Sequence, residues 1–106
     1  MSDGWVRAAA LDAVAPGSML GVELDGRKVC IVRTGDDEVY ALEDRCSHKE
    51  FPLSIGDLED GEITCAWHGA RFDCATGRAL SLPAFKPVPV YEVRVEDGQI
   101  FVSFTA

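Results

Sequence analysis

Three of the four Asp-Gly pairs, Asp25-Gly26, Asp60-Gly61 and Asp97-Gly98, fall between apolar segments, all of them short. Such a dipeptide between two apolar runs is a strong hairpin signal, because both residues tolerate the left-handed backbone of a tight turn. Met19 to Leu24 and Lys28 to Val32 flank the first pair. Val39 to Leu42 follows the acidic turn Gly35-Asp36-Asp37. Glu62-Ile63-Thr64 follows the second pair, and Arg71-Phe72-Asp73 and Arg78-Ala79-Leu80 bracket Ala75-Thr76-Gly77. Val88 to Val95 alternates apolar and polar residues before the third pair, which leads into Gln99 to Phe104. Alternation of this period puts odd and even positions on opposite faces of a sheet. Only Leu11 to Ala15 reads as helical, and Pro16-Gly17 limits it to about one turn. With no long amphipathic helix, βαβ folds are excluded, and an antiparallel sandwich or barrel is expected.

The 106 residues favour a single domain, 1–106. A hydrophobic share of 47% argues against disorder. The formal net charge of -8 opposes nucleic-acid binding, which needs Lys and Arg for phosphates, and opposes docking on anionic lipid. No leader pattern and no apolar run near the ~20 residues of a membrane span stand in the sequence. A cytoplasmic monomer is therefore expected. In that compartment the four cysteines, Cys30, Cys46, Cys65 and Cys74, are read as reduced or metal-bound. Residues 45 to about 85 carry fewer strand signals and most of the chemistry, as loops mounted on a β base do.

The chemistry lies in Cys46-Ser47-His48 and Cys65-Ala66-Trp67-His68, a C-x-H and a C-x-x-H separated by sixteen residues. The chain has only two histidines, and both fall in this pattern. Brought together, the two loops would make a Cys2His2 site. Thiolate and imidazole suit zinc or iron–sulfur chemistry, whereas hard cations prefer oxygen. Zinc sites commonly group Cys with Cys and His with His, a habit that mixed pairs fit poorly, so structural zinc is the competing reading.

From Cys46 to Pro83 the sequence resembles the Rieske iron–sulfur family, in which two His replace two Cys on one iron. The resemblance implies an all-β Rieske-like antiparallel sandwich or barrel base with a smaller loop-rich cluster-binding subdomain. It implies one 2Fe–2S cluster, with Cys46 and Cys65 on one iron and His48 and His68 on the other. Gly69 fits the glycine after the second His, and Leu82-Pro83-Ala84 resembles the proline-bearing loop over the cluster. Respiratory members join their cluster loops by a disulfide and place Ser and Tyr hydroxyls near the sulfurs. The equivalent positions here are Phe51 and Trp67, then Ala70 and Phe72, so the potential is expected near the low end of the family range.

This pattern resembles the ferredoxin components of bacterial ring-hydroxylating oxygenase systems, which serve aromatic-hydrocarbon catabolism. The implied function is one-electron transfer from a flavin-dependent NAD(P)H reductase to a terminal aromatic-ring oxygenase. Docking is expected near the His48/His68 end, with Lys49, Glu50, Phe51 and Arg71 at its rim. The chain has no spare His for an oxygenase iron triad and no phosphate-cradling Gly motif, so it reads as a carrier and not an enzyme. The alternatives are a Rieske-like small subunit of a nitrite reductase or other redox enzyme, and a zinc-binding structural or interaction module. Cys30, in the apolar run Val29-Cys30-Ile31-Val32, is expected to be buried packing. Cys74, just before a turn, is expected to be half exposed. Trp5 and Phe104 are expected to pack in the core or at an edge.

Overall fold

The computed structural model describes residues 5–36, 38–45, 52–66, 69–80 and 86–104. Nine strands are described: β1 (Trp5–Ala10), β2 (Ser18–Leu24), β3 (Arg27–Arg33), β4 (Val39–Glu43), β5 (Asp57–Glu59), β6 (Glu62–Thr64), β7 (Arg71–Asp73), β8 (Val90–Glu96) and β9 (Gln99–Ser103). Six form one antiparallel sheet in the order β1-β9-β8-β4-β3-β2, and β5-β6-β7 form a second, smaller one. The large sheet curls, bringing its edge strands β1 and β2 towards each other. The fold is thus all-β with a β base, as expected from the sequence, and the smaller loop-rich part beside it carries a three-stranded sheet of its own.

The Asp-Gly pairs at 25–26, 60–61 and 97–98 are hairpin turns. Asp25, Asp60 and Asp97 sit at φ 51, 52 and 51°, and the glycines after them at 78, 77 and 71°. Two successive left-handed residues match the twist of the flanking strands, which is why Asp-Gly recurs. The expected helical turn is a 3-10 helix at Leu11–Ala13 only, because Val14 is already extended. Arg78-Ala79-Leu80 makes one isolated bridge, Phe72 to Ala79, and not a strand. The last long strand begins at Val90 and not at Val88. Pro89 has no N–H for a ladder, and the Val88 N–H is committed to the Gly77 carbonyl at 2.8 Å.

Strand β3, between β4 and the edge strand β2, is buried on both faces from Val29 to Val32, and this builds two cores. Val29 and Ile31 turn into the curled base with Val14, Leu24, Val39, Ala41, Ile100 and Val102. Cys30 and Val32 face the other way and pack, with Leu42, under Leu53, Ile63, Cys65, Ala70, Phe72, Cys74 and Val88. A continuous apolar run is what a strand needs when neither face meets water. Trp5 and Phe104 are half-buried edge residues: Phe104 stacks edge-on against Tyr91 at 4.9 Å, and the Arg27 guanidinium lies 4.8 Å from its ring centre.

Candidate metal centre

The two predicted ligand loops leave different sheets, the first from β4 of the large sheet and the second from β6 of the small one. β4 runs to Glu43, and Asp44 and Arg45 lead directly into Cys46. Cys65 follows β6 and is buried, with 1% of its surface exposed. The loop after it is pinned at its base: the Cys65 N–H donates to the Ala70 carbonyl at 2.7 Å, and Ala70 is itself buried beside β7. Gly69 closes that loop at φ 72°, and no protein atom lies within 4 Å of where its Cβ would sit. Backbone conformation alone is enough to require glycine there. Of the four predicted ligands, Cys46, His48 and His68 lie outside the described residues, as do Lys49, Glu50, Phe51, Trp67 and the Leu82-Pro83-Ala84 segment. Among the described residues no group of three or more His, Cys, Asp or Glu side chains is placed to hold a metal.

Several contacts brace the Cys65 side. Phe72, fully buried, lies in the same core as Cys65 and Ala70. A Cβ added to Gly56 would fall on the Thr64 carbonyl oxygen, so the chain after the first ligand loop runs hard against the residue before Cys65. Arg71 is exposed and pairs with Glu62 at 3.3 Å. The acidic run Asp57 to Glu62 forms a hairpin, β5 to β6.

Sequence reasoning passed over the Asp44–Ser54 contact. Asp44 is buried, and the Ser54 N–H and hydroxyl donate to its Oδ1 and Oδ2, both at 2.7 Å. Nothing in the local sequence marks an Asp two residues before a Cys as buried. Beside it lies a groove of about 580 Å³ lined by Arg27, Lys28, Arg45, Pro52 and Tyr91 together with Glu43 and Asp44.

Cys74 is a correction: it is buried at 2% exposure and not half exposed. It shares the second core with Cys30 and Val32 of β3, and its N–H donates to the Gly61 carbonyl at 3.0 Å. Burial first, and then the Asp73 charge, pushes its thiol up to about 11. Cys30 is buried as expected. Its thiol is pushed well above the ordinary range by burial, then by the charges of Asp44 and Cys74. A thiol held protonated in this way is a poor metal ligand.

The soft donor in a pinned loop at Cys65 fits an iron–sulfur cluster as well as it fits zinc. The comparisons separate the two. The Rieske [2Fe-2S] domain model matches residues 4–92. The ferredoxin component of a naphthalene 1,2-dioxygenase/salicylate 5-hydroxylase system from Ralstonia sp is 34% identical over 102 residues, 96% of this chain and 97% of that one. The ferredoxin component of the p-cumate 2,3-dioxygenase system of Pseudomonas putida is 40% identical, covering 95% and 86%. Among solved structures, the ferredoxin of carbazole 1,9a-dioxygenase from Nocardioides aromaticivorans IC177 superposes with a TM-score of 0.90 at 40% identity, covering 95% of this chain and 98% of that one. A ferredoxin solved in complex with the oxygenase of carbazole 1,9a-dioxygenase gives 0.89 at 34%, covering 96% and 94%. The fold is that of a small all-β domain; the chain belongs to the Rieske 2Fe–2S domain family. Its cofactor is accordingly one 2Fe–2S cluster.

Proposed function

We propose that this chain is the ferredoxin component of a ring-hydroxylating oxygenase system, a one-electron carrier and not itself an enzyme. End-to-end similarity to ferredoxin components, at 32–40% identity over 86–100% of their length, carries this reading. Cys46 and Cys65 bind one iron and His48 and His68 the other. When bound, the cluster supplies reversible one-electron chemistry, and neutral imidazoles in place of two thiolates make electron gain easier. The whole of 1–106 serves as one domain, working in the cytoplasm. Electrons come from a flavin-dependent NAD(P)H reductase and go to a terminal aromatic-ring oxygenase.

The potential belongs in the lower part of the family span of about −150 to +300 mV. Ala70 and Phe72 stand in the buried layer with Cys65 and bring no hydroxyl to a sulfur. Docking occurs at the loop end carrying His48 and His68. Ile55, 60% exposed on the 3-10 helix Leu53–Ile55 that follows the first loop, supplies an apolar contact there.

The test is metal content and magnetic signature. Anaerobically purified protein should hold about two irons and two acid-labile sulfides per chain. On reduction it should give an electron-paramagnetic-resonance signal with the low average g of mixed His/Cys ligation. Stoichiometric zinc without sulfide defeats the proposal.

A further inference from the structure

We propose that the Asp44–Ser54 pair positions the first ligand loop and that its charge holds down the potential of the cluster, an inference that rests on the ligand set proposed above. The pair spans that loop. Asp44 stands two residues before Cys46, and Ser54 lies three residues beyond Phe51. The Asp44 carboxylate takes both donors of Ser54, backbone N–H and hydroxyl, at 2.7 Å each. Its own N–H donates to the Lys28 carbonyl at 2.9 Å, fixing the residue to the start of β3. One buried carboxylate thus ties the entry of the loop, its exit and the base together.

Gly21 on β2 shows how closely this contact is seated. A Cβ there would lie 2.6 Å from Ser54 Oγ and 2.8 Å from Asp44 Oδ2. Any side chain at that position must push the pair apart. Leu53, buried in the second core, holds the same 3-10 helix from beneath. The arrangement is overdetermined from three sides, as a support for a metal ligand needs to be.

The charge matters separately from the tie. Asp44 and Cys46 are two residues apart, so their Cα atoms are within about 7 Å. Asp44 is 8% exposed, so water screens its carboxylate weakly. A carboxylate charge tied at the entry of that loop opposes the arrival of an electron.

Two substitutions separate the tie from the charge. Asp44→Asn removes the charge at equal size but leaves one oxygen to accept from Ser54; Ser54→Ala keeps the charge and removes one hydrogen bond. In the holoprotein, Asp44→Asn should raise the reduced-to-oxidised ratio at the wild-type midpoint by on the order of tenfold, or 59 mV for a one-electron couple. Ser54→Ala should leave that ratio within twofold of wild type and release iron to a chelator several times faster. Glu38→Gln is the control: it removes an exposed charge at the start of β4, the end of that strand remote from Cys46, and should change neither readout. An Asp44→Asn ratio within twofold of wild type, or wild-type iron release from Ser54→Ala, overturns the inference. An Asp44→Asn chain that folds but retains no cluster supports the positioning role. A wild-type chain without a Rieske signal overturns the ligand proposal itself, whereas a normal wild-type signal with indifferent variants overturns only the role of this pair.

Discussion

The two cores on either side of β3 are built from different material. The base core is wholly aliphatic, with Val14, Leu24, Val29, Ile31, Val39, Ala41, Ile100 and Val102 closed in by strands of five to seven residues. The cluster-side core holds three thiols, Cys30, Cys65 and Cys74, under strands of only three residues each. Long ladders and alternating side chains let the base hold itself together. The short sheet has too few backbone hydrogen bonds to do so, and it leans on the base through Val32, Leu42 and Phe72. The base is a scaffold, and the upper layer, which carries Cys65 of the proposed ligand set, rests on it.

The sharpest way to break this comparison is to remove a ligand. Cys65→Ser or His68→Ala should abolish the native cluster spectrum, since an iron loses a direct ligand. Cys30→Ala, on the same apolar side of β3, should leave the spectrum intact and cost packing energy alone, about 1–3 kcal/mol. Visible absorption and electron paramagnetic resonance read both. If Cys30→Ser removes the cluster while Cys46→Ser keeps it, the proposed ligand set is wrong.

A pair of large-to-small substitutions then weighs one core against the other. Ile31→Ala opens the base, and Phe72→Ala opens the upper layer; both side chains are fully buried. Each should cost about 3–5 kcal/mol in denaturant unfolding. The difference should lie in the cluster. Phe72→Ala should release iron to a chelator faster under native conditions, because it loosens the layer that holds Cys65. Ile31→Ala should not do so until the whole chain unfolds. Equal iron release from the two would show that the layers open together.

The thiols of the upper core make it more sensitive to base than the lower one. Burial raises Cys74 from 9.0 to about 11, so the folded chain binds that proton more tightly than the unfolded chain does. Its contribution to stability is fully present below pH 9 and falls as the pH rises towards about 11. Cys30 is shifted in the same direction. Denaturation midpoints measured from pH 8 to 11 should decline across this window, and Cys74→Ala should flatten part of the decline. An unchanged slope in that variant would place the alkaline sensitivity elsewhere.

These differences also decide how much the sequence discloses. The base is legible because its signals are local: Asp25-Gly26 and Asp97-Gly98 mark hairpins, and Val90 to Val95 alternates as a half-buried strand does. The proposed ligands rest on pattern alone: two Cys–His pairs in a chain with two histidines constrain the chemistry strongly, and of the four only Cys65 lies among the described residues. The packing between layers is not. Cys74 is buried because a distant strand, β3, lies beneath it, and Asp44 is buried because Ser54 folds back over it. Neither neighbour is visible from the residues alongside. The strand expected over Arg78 to Leu80 fails for a related reason: pairing there stops at one bridge, and the Val88 N–H folds back onto Gly77.

The smallest expected effect tests whether surface charge helps to hold the upper layer. Glu62 on β6 and Arg71 on β7 pair at 3.3 Å, with side chains 42% and 50% exposed. Water and salt screen a pair this open, and ordering two long side chains costs entropy that offsets the attraction. Phe72 and Ile63, opposite each other on the same two strands, are fully buried and carry the contact between them. Glu62→Gln should therefore change stability by less than about 0.5 kcal/mol, and less still in high salt. Its chelator-driven iron release should match wild type. A loss above about 1 kcal/mol that salt abolishes would mean that the short sheet depends on charge at its rim, and the contrast between a packed base and a base-supported upper layer would have to be redrawn in electrostatic terms.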